Sequence, residues 1–235
     1  MWNGNAVPVG VFALAVAIAS IAGRGSEAAS AQATTTASDA PRGQPPKLRY
    51  QADPGRNRVW FLSEDGVFVH DAAKSQKVAV TLPEWQWVSD FSCLPDLALG
   101  PNGEAVVTSN VLPTLWRIDP ETLAVSVHPL VLDADTHKDV GFTGLVYSAG
   151  HQAYFAVSDL HGTLWRIDPL LGKAQKIALS APIPRACAVT VQAPVGQRKT
   201  SRPAGLCVRG PLVDWAIDLS PDQRSANVRP GSCAE

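Results

Sequence analysis

From Lys47 onward, apolar residues fall in short runs that stop at Gly, Asn, Asp or Pro. Arg58-Val-Trp-Phe-Leu62, Glu104-Ala-Val-Val-Thr108 and Ala153-Tyr-Phe-Ala-Val157 show the pattern. Runs of this length filled with Val, Ile, Trp and Tyr suit half-buried strands. The joints supply turn geometry, as in Pro101-Asn-Gly103. The pattern predicts an all-β domain over residues 47–235.

The runs also repeat. Thr114-Leu-Trp-Arg-Ile-Asp-Pro120 returns as Thr163-Leu-Trp-Arg-Ile-Asp-Pro169, an identical heptapeptide at an offset of 49 residues. Gly66-Val-Phe-Val-His-Asp71 and Val213-Asp-Trp-Ala-Ile-Asp218 keep nearly the same step on either side. The repeats therefore carry Asp71, Asp119, Asp168 and Asp218, with Phe68, Trp116, Trp165 and Trp215 three residues earlier. A period of about 50 residues marks solenoids, propellers or arrays. Each repeat divides into four strand-like runs, and radial repetition of four antiparallel strands is the plan of a β-propeller. The predicted fold is a propeller of four four-stranded blades, or half of a larger ring completed by dimerisation. A Greek-key sandwich leaves the repeated heptapeptide unexplained. The eight repeated Asp and aromatic positions read as structure: the aromatics fill space between blades, and Asp closes a turn by accepting backbone N–H groups.

Asp96-Leu-Ala-Leu-Gly-Pro-Asn-Gly-Glu104 followed by Leu115-Trp-Arg-Ile-Asp-Pro120 resembles the blades of secreted propellers of the NHL, YVTN and lactonase-like group. The resemblance covers nearly all of residues 47–235 and implies a fold without specifying an activity. Lactonase-like members imply a cation held at the channel by acidic and amide side chains from several inner strands. This chain offers Asp90, Asp96 and the 133–139 segment there, without a complementary set elsewhere.

Composition narrows the setting. With 20 Lys+Arg against 21 Asp+Glu, the chain lacks the basic surplus of a general nucleic-acid binder. The 18 Gly and 19 Pro disfavour a helical bundle. Residues 6–22 are uncharged and apolar apart from Ser20, and Ala29-Ser30-Ala31 is an A-x-A cleavage pattern. Residues 1–31 thus read as a secretory signal peptide, or as an N-terminal anchor if uncleaved. The only membrane association expected is through that segment. Residues 32–46, rich in Thr, Ala, Pro and Gln, read as a flexible linker. The predicted location is periplasmic or extracellular. Four cysteines, without a C-x-x-C or zinc spacing, fit two disulfides in an exported chain. The strand frame pairs Cys187 with Cys207 across a hairpin and Cys93 with Cys233.

Candidate chemistry lies where the repeat is broken. In Glu84-Trp85-Gln86-Trp87-Val88-Ser89-Asp90, an extended backbone sends Trp85 and Trp87 to one side. They form a stacking platform for a ring-shaped ligand, with Asp90 beside it, or a hydrophobic lid over the first two blades. Asp133, Asp135, His137 and Asp139 could hold a divalent cation such as calcium. The EF-hand Gly position is Lys138 and the terminal Glu position is Gly144, which favours a solvated polar loop. The sequence shows no G-x-S-x-G, H-E-x-x-H or P-loop. No resident cofactor is expected. The function that fits best is an exported, non-enzymatic binding or scaffold propeller that takes a protein partner or small ligand at one mouth. A metal-assisted hydrolase or lactonase-like enzyme is the alternative.

Overall fold

The computed structural model describes residues 48–89, 93–133, 140–192 and 205–231. Residues 1–47, which contain the expected signal and linker, lie outside them. Within the described residues the chain is all-β, with one short 3-10 turn at Pro54–Arg56. No helix there is long and apolar enough to cross a membrane.

Four sheets, each built on four antiparallel strands, follow one another along the described residues. Sheet 1 comprises β1 (Arg49–Asp53), β2 (Arg58–Ser63), β3 (Gly66–Asp71) and β4 (Gln76–Val80), in sequential order. Sheet 2 comprises β5 (Leu97–Leu99), β6 (Ala105–Val107), β7 (Thr114–Ile118) and β8 (Val125–Pro129). The next strand, β9 (Val131–Leu132), leaves sheet 2 and joins sheet 3. Sheet 3 is otherwise β10 (Gly144–Ser148), β11 (Ala153–Ser158), β12 (Thr163–Ile167) and β13 (Lys173–Lys176). Likewise β14 (Ala178–Leu179) leaves sheet 3 and pairs with the last strand of sheet 4. That sheet contains β15 (Ala188–Val191), β16 (Leu206–Arg209), β17 (Asp214–Leu219) and β18 (Ser225–Pro230).

Two sheets therefore have five strands, where the repeat alone predicts four. The additions are parallel pairs, β9 on β13 and β14 on β18. Each connector covers part of an outer edge, whose open N–H and C=O groups otherwise invite pairing with another chain.

The repeated heptapeptide explains how neighbouring sheets pack. Trp116 and Ile118 face back into a core with Trp60, Leu62, Val67 and Val69 of sheet 1. Leu115 faces forward, joining Val106 against Leu145, Tyr154 and Trp165 of sheet 3. Sheet 3 repeats the scheme: Leu164 and Phe155 meet Val208, Trp215 and Ile217 of sheet 4. Alternation along one strand thus serves two interfaces, as the period of two requires. The indole N–H of Trp116 donates to the Pro83 carbonyl at 2.7 Å, and that of Trp165 to the Thr163 hydroxyl at 2.9 Å. The polar ends of these buried rings are thereby satisfied.

The repeated aspartates close turns in three of the four sheets. Asp71 Oδ1 accepts from the Ala73 and Lys74 amides, Asp119 Oδ1 from Glu121 and Thr122, and Asp168 Oδ1 from Leu170. Asp218 instead pairs with Arg229 at 2.7 Å.

The disulfide departs from the strand-frame expectation. Cys93 is bonded to Cys187, with Cα atoms 5.2 Å apart. Cys187 precedes β15, and the residue opposite Cys207 is Thr190. The expected Cys187–Cys207 and Cys93–Cys233 pairs are therefore replaced. Cys207 is itself disulfide-bonded, and Cys233 lies outside the described residues.

Candidate functional site

The first strands of the four sheets, β1, β5, β10 and β15, converge on one cavity of about 770 Å³. Its walls include Tyr50, Gln51, Ala98, Leu145, Tyr147 and Thr190, with Arg209 to Pro211 at one side. Apolar side chains share the lining with a few polar ones, the usual makeup of a small-molecule site.

A buried polar hub holds these strands together. Asp96, just before β5, accepts the Leu145 amide of β10 on Oδ2 and the Leu97 amide on Oδ1, both at 2.9 Å. Arg49 of β1 brings Nε to 3.7 Å from Asp96. Its Nη2 donates to the carbonyls of Cys187 at 2.6 Å and Thr143 at 3.3 Å. One guanidinium from sheet 1 thus touches the entries to β5, β10 and β15. The Cys93–Cys187 bond adds a covalent tie between the entries to sheets 2 and 4. Burial pushes the Asp96 carboxyl above its ordinary value, while Arg49 and the two backbone amides pull it back. At Gly144 a Cβ would meet the Ala188 backbone at 2.8 Å, so the close approach of β10 and β15 requires glycine.

The Trp85 loop serves a neighbouring interface. Trp85 packs on the core between sheets 1 and 2, and its indole N–H donates to the Thr108 carbonyl at 2.8 Å. Asn110 grips the same loop, donating to the Val88 carbonyl at 2.8 Å and accepting the Val88 amide at 2.9 Å. Ser109 donates to the Gln86 carbonyl at 2.6 Å. Trp87 remains half-buried, its ring centroid 6.3 Å from that of Trp85 with the planes tilted by 34°. The two tryptophans do lie side by side, beside a crevice with Leu62, Leu94 and Pro95 rather than in the large cavity. Asp90 lies outside the described residues.

Of the expected cation ligands, only Asp133 is described. Its Oδ1 accepts the Lys176 amide at 2.8 Å, so this carboxylate anchors the β9 connector to sheet 3. Asp135, His137 and Asp139 lie outside the described residues. Among the described residues no group of three or more His, Cys, Asp or Glu side chains is placed to hold a metal ion.

Sequence reasoning placed Asp96 near the channel but missed Arg49 as its partner. The available signal was positional: both residues sit at the start of the first strand of a repeat. Asn110, Ser109 and Arg209 carried no pattern, because their roles depend on which segments meet in space.

No protein-family model matches the chain. No curated protein matches it either. Solved structures with a similar fold include virginiamycin B lyase from Staphylococcus aureus, 15% identical over 78% of this chain and 54% of that one, with a TM-score of 0.53. A streptogramin B lyase structure aligns at 17% identity over 80% and 54% of the two chains, with a TM-score of 0.53. An auxiliary nutrient binding protein from Bacteroides thetaiotaomicron aligns at 12% identity over 82% and 44%, with a TM-score of 0.55. The chain thus spans about half the length of these proteins. The likeness establishes a propeller-type fold, and the neighbours include both enzymes and a binding protein.

Proposed function

We propose that this chain is an exported, non-enzymatic binding propeller whose four sheets act as four blades and whose cavity takes a small ligand. The observation that carries the reading is the convergence of all four first strands on one cavity of about 770 Å³. This volume lies within the ordinary range for small-molecule sites. The Arg49–Asp96 hub ties the entries to these strands together and so fixes the shape of the cavity wall. Arg49 is committed to Asp96 and two carbonyls. Arg209 is exposed and has no ion pair among the described residues. Tyr147 offers an aromatic ring and a hydroxyl. The matching ligand is partly apolar and carries an anionic or hydrogen-bond-accepting group. Export is supported by the disulfide, which persists in an oxidising compartment, and by the apolar, uncharged segment at residues 6–22.

A melting screen tests the reading. The oxidised protein is heated with a panel of free sugars, amino acids, nucleosides and small aromatic carboxylates. A member that binds should raise the melting temperature. Arg209→Ala should abolish the rise while leaving the unliganded melt nearly unchanged. Tyr147→Ala, which also removes a ring packed on Tyr154, should abolish it from a lower unliganded melting temperature. A rise that survives both substitutions would place binding elsewhere.

A further inference from the structure

Four sheets make three cores, so one face of sheet 4 and one face of sheet 1 lie outside them. The two faces differ in chemistry. On sheet 4, Thr190, Cys207, Ala216 and Arg229 form one cross-strand row. Asp214 stands where sheets 2 and 3 have the forward-facing Leu115 and Leu164. Arg229 is paired with Asp218, and Cys207 is disulfide-bonded. Thr190 and Arg229 of that row are exposed, whereas Cys207 is fully buried, so this face presents no row of exposed aromatic rings.

Sheet 1 is unfinished. Tyr50, Phe61, Phe68 and Ala79 form one cross-strand row, and Ala52, Val59, His70 and Lys77 form the next. Phe68 occupies the position at which Trp116, Trp165 and Trp215 each pack on the preceding sheet. Tyr50, Val59, Phe61 and Phe68 belong to none of the three cores, and Tyr50 is 68% exposed. The Lys77 ammonium lies 4.0 Å over the Phe68 ring.

We infer that this face of sheet 1 docks onto the same face of a second copy of the chain, forming a two-fold dimer. The charges on the sheet make the face self-complementary. The exposed turn with Glu64 and Asp65 closes one end of β2 and β3, whereas Lys74 and Lys77 lie toward the other end, beside His70. A two-fold axis running across the strands reverses their direction between copies. The acidic end of one copy then lies over the basic end of the other, twice per dimer. The same reversal places the row with three aromatic rings against the row containing Ala52 and Val59, bulky residues against small ones.

The area is sufficient. Four strands about 4.8 Å apart and five residues of about 3.3 Å each give a flat footprint of about 300 Å². With ring surfaces included, two copies bury on the order of 1,000 Å², the low end for a specific interface. An interface this small fits a dimer in reversible equilibrium with monomer. This arrangement differs from completion of a larger ring, since sheet 4 takes no part in it.

Sedimentation velocity of the full oxidised chain over a hundredfold range of concentration reads the equilibrium directly. We expect a monomer–dimer transition. Lys77→Glu should weaken it at least tenfold, as should Glu64→Lys with Asp65→Lys. Mixing these two variants should restore a dimer, because each wrong charge then meets its opposite. Phe68→Ser should abolish the dimer while circular dichroism retains the strand signal. None of the substituted residues lines the large cavity, although Tyr50 and Ala52 at the β1 edge of the same face do. Each variant is therefore also titrated with the panel compound that stabilises the protein, to separate the two effects. Three results overturn the proposal: a monomer at every concentration, a dimer indifferent to Lys77→Glu, or a monomer whose fold collapses on Phe68→Ser. The last would show that the chain covers this face itself.

Discussion

Replacing Cys93 and Cys187 by serine removes the covalent tie between the entries to sheets 2 and 4, and its cost follows from the loop it closes. The bond joins residues 94 apart. Closing a loop of that size in the unfolded chain costs entropy worth about 4.7 kcal/mol at room temperature. Native strain and residual structure in the unfolded chain reduce that figure, so we expect about 3–4 kcal/mol. For a domain of this size each kcal/mol moves the melting temperature by roughly 2–4 °C, giving a fall of roughly 6–16 °C. The hub sharpens the expectation, because Arg49 still holds the Cys187 carbonyl at 2.6 Å and Asp96 still accepts the Leu145 amide. The double variant should therefore keep its strand content and unfold cooperatively at lower temperature. Differential scanning calorimetry of both proteins under non-reducing conditions provides the comparison. A loss below about 1 kcal/mol would refute the reasoning, since a tie across so long a loop cannot be that cheap to remove.

Other expectations follow from particular contacts. Trp165→Ala empties a fully buried site and should cost about 3–5 kcal/mol in denaturant melts. Trp85→Ala removes a half-buried ring and one hydrogen bond and should cost about half as much, so equal losses would contradict the packing described. The Thr122 amide, the Thr122 hydroxyl and the Glu121 amide hold the Asp119 carboxyl below its ordinary value. Its stabilising contribution is therefore present above the unfolded value of 3.8 and lost as pH falls through the lower folded value. Melts across that window should show a shallower acid dependence for Asp119→Asn than for the unaltered chain. Peptide mapping without reduction should recover Cys93 linked to Cys187, and a Cys187–Cys207 peptide would contradict the structure.

The array was legible because its chemistry repeats. An identical heptapeptide placed Trp116 and Trp165, and the same spacing pointed to Phe68 and Trp215 in less similar sequence. Asp71, Asp119 and Asp168 were legible as turn closers because an Asx turn is local. What escaped depends on segments distant in sequence. The parallel pairs made by β9 and β14 are two residues long and arise from where a connector crosses a finished sheet. The cysteine pairing was misjudged because Cys187 was placed in the strand ladder. It sits one residue before β15, where the entries to the sheets converge. The tryptophan pair was found, but its setting was not. Thr108, Ser109 and Asn110 bind that loop through hydrogen bonds no sequence pattern foretells.

The most direct test of a ligand-binding cavity is isothermal titration calorimetry with whichever panel compound most stabilises the oxidised protein. The account predicts one site per chain, with binding lost in the Arg209→Ala/Tyr147→Ala double variant and retained in the dimer-breaking Lys77→Glu variant. Unchanged affinity in the cavity double variant would contradict it.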